Sequence, residues 1–446
     1  MTAAPPPPVL DVVLIGAGLR GMISYGMNAE AAGVRFVAVV EPNASRRDAF
    51  GDAHAIAPQH RFADVGAWLA GERLADAVLV ATPDDQHLAP ALAALRSGHH
   101  VLLEKPMAQS LDECRQLVEA AEAAGVELHV CHVLRYTPFF QAVADVVRSG
   151  RLGRVVTVDH RENVDALHMA HSYVRGAYRR EDQSNPMLLA KSCHDLDALH
   201  WILADPVVRL SSFGSLTHFR PEAVGPEIPE RCTDGCPIEP DCAFSAIRAY
   251  APEVPVAAPE IRLLTQVFPL QDPPTFDATS RRAALATSPF GRCAYRCDND
   301  VVDHQVVAME LASGATVTFT MHGHSHAEGR TLRIDGTRAT LRAAFLEVDP
   351  EITVSEHGTG RVERIELPDE AASSLGHGGG DLGVLRAFAT SLGGHAARGG
   401  AAGDGVGLTT DGRTSLESHV VGWAAEEARR SGQVVDVAAF RARQGL

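Results

Sequence analysis

Lysine is almost missing from this chain: of 40 basic side chains only two, Lys105 and Lys191, are lysines. A GC-rich coding bias depletes lysine, and a lysine that survives marks a place where a compact, deprotonatable ammonium does what a guanidinium cannot. Long apolar runs are missing too. No stretch approaches the roughly 18 apolar residues of a membrane span, and Met1 to Pro8 is a proline-rich tail rather than a basic and then apolar leader, so a cytoplasmic protein is expected. Positive charge is in deficit. The formal net charge of -16 repels phosphate backbones and anionic lipid heads, which excludes nucleic acid and membrane surfaces as general partners and leaves small molecules.

What is present, 46% hydrophobic residues in 446, is enough for two domains with separate cores. Val9 to Ile15 reads as a buried strand, followed by a glycine turn and a helical stretch to Ala31 closed by Gly33. Apolar runs at Val34 to Val40, Ala77 to Thr82, Val101 to Leu103 and Glu127 to Val130 alternate with helical patterns at Gln86 to Arg96 and Leu111 to Ala123. Alternation of this kind predicts an α/β fold with a doubly wound parallel sheet over residues 9–135. Past Tyr136 the alternation stops, and Val155 to His160, Val306 to Leu311, Thr316 to Thr320 and Thr331 to Ile334 predict an α+β domain over 136–446 built on an open, mostly antiparallel sheet. A cysteine-containing insertion falls at about 218–300. Pro252 to Pro259 and Gly393 to Gly407 read as surface loops. Thr414 and Glu417 have the spacing of a capping box before a helix over about 414–431 that Gly432 stops.

The turn Gly16, Ala17, Gly18, Leu19, Arg20, Gly21 has the Gly-x-Gly-x-x-Gly pattern where a first strand meets a first helix. There Gly16 allows the tight turn, Gly18 lets a pyrophosphate approach and Gly21 allows close helix packing. Glu41 stands 20 residues after Gly21 at a strand end, placed to bind ribose hydroxyls, and its carboxylate favours NAD over NADP by repelling a 2'-phosphate. Arg46 and Arg47 nearby either solvate the next helix or bind that phosphate. Ala81, Thr82 and Pro83 with His87, and Glu104, Lys105 and Pro106, end two further strands, where ligands of open α/β sheets bind.

These motifs, with His194, Asp195, Leu196 and Asp197 opening a later helix, resemble those of the glucose-fructose oxidoreductase and inositol dehydrogenase family, Gfo/Idh/MocA, over nearly the whole chain. The resemblance implies that Lys105 contacts the nicotinamide ribose and the substrate hydroxyl, that a strained, cis-prone peptide bond precedes Pro106, and that His194 sits opposite the nicotinamide. It also implies a homodimer or homotetramer formed through the open face of the second sheet. One position departs from the pattern: relatives such as inositol dehydrogenases often carry aspartate four residues before the histidine, where this chain has Ala190, with Lys191 three before. Either Asp195 or another carboxylate orients His194, or Lys191 takes part of the proton chemistry.

Oxidising a secondary alcohol needs a hydride acceptor, a base for the hydroxyl proton and a cation for the developing alkoxide. Lys105, His194 and Lys191 are the candidate catalytic residues. Leu196, Leu199 and Leu203 form a core stripe that leaves Lys191, His194 and Asp195 on an adjacent helix face. His168, His171, Tyr173, Arg175, Arg179 and Arg180 crowd a predicted loop, and such cations suit an anionic group on the substrate. Cys232, Cys236 and Cys242 in one loop and Cys293 and Cys297 in another offer four of five thiolates for a structural zinc; reduced thiols or a labile disulfide are the alternatives. The leading expectation is an NAD-dependent oxidoreductase of a sugar, sugar acid or cyclitol. An NAD-dependent glycoside hydrolase working by oxidation, elimination and reduction, and a dinucleotide-binding regulator without turnover, are the two alternatives.

Overall fold

Residues 9–253, 277–346, 349–368, 377–398 and 410–446 are described by the computed structural model. The Met1 to Pro8 tail, nearly all of Pro252 to Pro259, and 399–407 lie outside these residues. Strands β1 (Leu10–Ile15), β2 (Val34–Val40), β3 (Arg61–Phe62), β4 (Ala77–Val80), β5 (His100–Leu103) and β6 (Leu128–Val130) pair in parallel in the order β3-β2-β1-β4-β5-β6. Both faces of such a sheet are covered, so its strands are apolar throughout rather than alternating. Val13, Ile15, Val78 and Val80 share one core with residues of the Leu88–Arg96 and Leu111–Ala124 helices, while Val12, Leu14, Ala77 and Leu79 turn to the other face.

That second face is covered by a late part of the chain. Val384, Leu385 and Phe388, on the Gly380–Arg398 helix, pack with Val12, Leu14 and Leu79. A division at residue 136 therefore separates the first sheet from a helix that covers it. The same helix runs through 393–398, where a surface loop is expected from the glycine content; its buried apolar positions outweigh the low helix propensity of Gly393 and Gly394.

The second sheet takes β7 (Val155–Asp165), β8 (Val207–Ser215), β9 (His304–Leu311), β10 (Thr316–Ser325), β11 (Gly329–Gly336), β12 (Ala339–Leu346), β13 (Glu351–Glu356), β14 (Val362–Arg364) and β15 (Val435–Asp436). Its order is β14-β13-β12-β11-β7-β10-β9-β8-β15. Among the described residues β7 and β10 run parallel and every other neighbouring pair is antiparallel. In β9, Gln305, Val307, Met309 and Leu311 are buried while the residues between them are less covered, the period of a sheet with one protected face.

The Met187–Leu203 helix lies against that protected face, held to β7 and β11 through Asp195. The Gly412–Ser431 helix packs on it, and a Cβ at Gly422 would stand 2.5 Å from the Leu189 side chain. Its N-cap is Asp411, whose side chain accepts from the backbone N–H of Arg413 and Thr414, so the expected Thr414 and Glu417 capping box is replaced. Gly432 ends the helix at φ +69° as expected. No described helix is long and apolar enough to cross a membrane.

Candidate active site

The site begins where β1 ends. Gly16 turns the chain at φ +96°, and a Cβ there would lie 2.7 Å from the Ala81 carbonyl oxygen. A Cβ on Gly21 would lie 2.2 Å from the Gly16 carbonyl oxygen, so the turn closes only with glycine at both positions. Gly18 faces open space, with nothing within 4 Å of its Cβ position, and the half-buried Leu19 leads into the helix. Glu41 at the end of β2 accepts from the Ala17 N–H (2.9 Å), the Asn43 N–H (2.9 Å) and the Arg46 guanidinium (2.8 Å). An open glycine turn beside a strand-end carboxylate fits a dinucleotide: the phosphates against Gly18, a ribose at Glu41. Arg46 and Arg47 are engaged by the Glu41 side chain and main chain, which accounts for them without a 2'-phosphate.

The other two strand-end loops are fastened together. His87 lies between the Pro106 carbonyl (2.7 Å from Nδ1) and the Thr82 carbonyl (3.0 Å from Nε2), while Pro83 is exposed at the rim. The Lys105–Pro106 peptide is cis, as the resemblance implies. Lys105 Nζ donates to the Ala190 carbonyl (2.9 Å), which brings the ammonium against the helix that carries His194. Its backbone N–H donates to Glu104 (2.9 Å).

The Arg20 guanidinium, expected at the cofactor, is taken up by groups of the protein itself. It donates to Glu104 (2.5 Å), Tyr25 (2.8 Å), Ser24 (2.8 Å) and both oxygens of Asp381 (2.8 and 3.1 Å). Burial drives the Glu104 carboxyl up, but Arg20 and Lys105 more than offset it and hold it below its ordinary value. Arg20 therefore locks Glu104, and with it the Lys105 backbone.

His194 is 4% exposed, and its Nδ1 is buried with no hydrogen-bond partner among the described residues. Burial, then the charge of Lys105, holds the imidazole well below its ordinary value, so it is neutral. Its ring is 5.9 Å from that of His132 and 5.8 Å from that of His377, centroid to centroid. Lys191 does not share this space. Its Nζ is held by Glu328 (2.6 Å) and Glu162 (3.2 Å), and these carboxylates outweigh the opposing effect of burial and raise it above its ordinary value. Lys191 is a fixed cation rather than a proton acceptor. Asp195 is likewise taken, by His160 (2.7 Å) and Arg330 (2.8 Å), and does not orient His194.

The cationic cluster upstream is used inside the fold. Residues 166–175 are helical where a loop is expected. Arg175 is 1% exposed and donates to the carbonyls of Arg292 (2.8 Å) and Phe244 (2.6 Å). Arg179 pairs with Asp298, Arg180 with Asp182, His168 with Glu328, and the buried His171 stacks on Phe290. Tyr173 is buried against Tyr178, whose phenol feels Asp84, Glu104 and Arg20 of the first domain, so these two rings border the junction. Sequence reasoning missed Tyr178 and His377; the signal for His377 was the run His377, Gly378, Gly379, Gly380, Asp381.

The two cysteine segments do meet: Cys232 N–H donates to the Gly291 carbonyl and Cys293 N–H to that of Glu230. Zinc nevertheless lacks support. All five cysteines are free, the Cys297 thiol donates to the Cys293 carbonyl (3.3 Å), Cys232 Sγ accepts from the Ala246 N–H (3.5 Å), and among the described residues no three metal-ligating side chains are grouped to hold an ion.

A Rossmann sheet with an open glycine turn at its strand ends, joined to an α/β domain built on a mostly antiparallel sheet, is the architecture of a dinucleotide-binding oxidoreductase. The chain belongs to the Gfo/Idh/MocA oxidoreductase family: residues 10–132 match its NAD-binding Rossmann fold and 144–437 its C-terminal alpha/beta domain. It is 25% identical over 316 residues to the oxidoreductase YteT of Bacillus subtilis, covering 69% of this chain and 70% of that one. It is 30% identical over 202 residues to inositol 2-dehydrogenase 2 of Saccharopolyspora erythraea, covering 45% of this chain and 55% of the other. An oxidoreductase from Agrobacterium radiobacter, solved with NAD+, L-tartaric acid and magnesium, shares the fold at a TM-score of 0.66 and 18% identity, covering 97% of this chain and 99% of that one.

Proposed function

We propose that this protein transfers a hydride between nicotinamide and a secondary hydroxyl of a sugar, sugar acid or cyclitol, with Lys105 and His194 handling the hydroxyl proton. The observation that carries this reading is the meeting of the Lys105 ammonium with the Ala190 carbonyl, one turn before a buried neutral His194. Bound NAD supplies the hydride acceptor. Gly16 to Gly21 and Glu41 would hold it, with Ala81 to His87 and Glu104 to Lys105 bounding the nicotinamide end. In this reading the Lys105 ammonium donates to the reacting oxygen and stabilises the charge that develops there, while His194 accepts the proton. The name of the Saccharopolyspora relative supports a cyclitol or similar polyol. An uncharged substrate is favoured over an anionic one, because Arg175, Arg179 and Arg180 are already satisfied by carbonyls and carboxylates.

The test is a panel of sugars, sugar acids, cyclitols and nitrophenyl glycosides with NAD, read for both NADH and nitrophenol. Net NADH with one substrate class supports the dehydrogenase. Nitrophenol release with NAD retained moves the reading to the redox-neutral glycoside hydrolase, for which a second imidazole near His194 would serve the leaving group. NAD binding without turnover of any member would leave the regulator. In Lys105→Met, kcat is expected to fall by about 10² to 10⁴ while NADH still binds; turnover near that of the unaltered protein would remove Lys105 from the chemistry.

A further inference from the structure

The Gly380–Arg398 helix is preceded by His377, Gly378 and Gly379 at φ +52°, +59° and +86°. A non-glycine side chain held in the left-handed region is strained, and such a residue persists where its surroundings fix it. What fixes His377 is Asp381, whose two carboxylate oxygens lie 3.2 and 3.3 Å from Nδ1. Asp381 is in turn held by Arg20, which also holds Glu104 beside Lys105. The Nδ1 atom of His377 therefore carries the proton and donates it to Asp381, leaving Nε2 as the basic nitrogen.

We propose that His377 and Asp381 form the carboxylate-supported histidine of this site, and that His377 relieves His194 of the proton taken from the substrate. Two observations meet here: the His194 ring lies 5.8 Å from that of His377, and its buried Nδ1 has no hydrogen-bond partner among the described residues, so that a proton on it has no acceptor nearer at hand. The proposal rests on the oxidoreductase reading and balances as a relay. The substrate O–H bond breaks to form N–H at His194 Nε2; the electron pair stays to make the carbonyl as the C–H hydride leaves to nicotinamide. His194 gives up its Nδ1 proton to His377 Nε2, directly or through one water, and the imidazolium formed faces Asp381. Among the described residues the groups that bear on His377 include Asp381 on its own segment, Arg20 from the glycine-turn helix, Arg330 from β11 and His194 from the Met187–Leu203 helix. Burial and the two arginines outweigh Asp381 and keep the ring neutral before reaction. Together the pair would do from a different element what an aspartate at position 190 would do on the histidine's own helix.

His377→Gly keeps the left-handed backbone accessible and removes only the ring, and His377→Gln tests the side chain with an amide in its place. With the best substrate of the panel above, both are expected to lose about 100-fold in kcat with KM and NADH affinity little changed, and added imidazole should restore part of the activity of His377→Gly. Long-range proton–nitrogen NMR of histidine-labelled protein with NADH, assigned by the signal missing in His377→Gln, should show a neutral ring protonated at Nδ1 at pH 7.5. Activity within threefold of the unaltered protein, or a ring protonated at Nε2, overturns the relay. If the unaltered protein turns over no member of the panel, the oxidoreductase reading fails, and the NMR tautomer still decides the pairing.

Discussion

The imidazoles of His132, His194 and His419 are buried and that of His377 is half-buried, and all four are held below their ordinary value, with loss of solvent the largest cause in each. Between their lowered values and about 6.5, the ordinary histidine value, these rings bind fewer protons in the folded protein than in the unfolded chain, so their contribution is complete above that value and is lost as pH falls through the window, while Glu162, raised to about 7 chiefly by burial, opposes it over the same range. For His132, pushed down to about 3, the loss at pH 5 is about 2 kcal/mol. Asp195 and Asp381 act in the same sense as the histidines: Arg330 and Arg20 hold their carboxyls low against the effect of burial, and their contribution is lost only below about pH 4. Denaturant unfolding at pH 7.5 and 5.0 should therefore show a smaller drop at the lower pH in His132→Asn than in the unaltered protein; equal drops would contradict the neutral, buried assignment of that ring. The position of Lys105 just past a strand end was legible in the sequence, whereas His194 stands in the middle of the Met187–Leu203 helix and not at its opening, where the sequence pattern puts it. Arg175 was misread because a chain of letters does not distinguish a guanidinium facing solvent from one sealed against two carbonyls. His377 was missed because its partner in the site lies 183 positions away and only a run of glycines marked its turn.

Those glycines act at the level of the element. A Cβ on Gly380 would stand 2.5 Å from the Val133 carbonyl oxygen, and one on Gly383 2.7 Å from that of Tyr136, so the Gly380–Arg398 helix starts in direct contact with the main chain of 133–136. Gly380→Ala should displace the helix start and with it His377 and Asp381. Expected are a cost on the order of 1–3 kcal/mol from overpacking and a fall in kcat larger than the stability loss explains, measured by unfolding and steady-state rates side by side. Unchanged activity in a destabilised variant would separate the helix start from the chemistry. Strands β1, β2, β4 and β5 were legible because a parallel sheet covered on both faces needs uninterrupted apolar runs. The helix through 393–398 was not, since Gly393 and Gly394 carry a loop signal that only its packing against the first sheet overrides.

On the scale of the whole molecule, the division into a parallel sheet and a mostly antiparallel one follows from the change in periodicity near Tyr136. The ties between them do not. Arg20 and Asp381 are 361 residues apart, and the Met107 N–H donates to His419 Nε2 across 312, separations that leave no local pattern to read. The site is assembled by these ties: Ser184 donates to Asp84 (2.8 Å), Lys105 to Ala190 (2.9 Å), and Arg20 to Asp381, each joining the first sheet to a later segment.

The cover that the Gly380–Arg398 helix gives the first sheet sets an order of events at the ribosome. Strands carrying Val12, Leu14 and Leu79 are made first, and Phe388, which seals them, is made among the last, after roughly 15 to 60 s of further synthesis at about 5 to 20 residues per second. For that interval the nascent first domain carries an open apolar face, the kind of surface that holdase chaperones occupy. Residues 9–135 expressed alone should aggregate, and a separately supplied 377–398 segment should reduce it in a light-scattering assay; a fragment that stays monomeric without it would show that the first sheet needs no late cover.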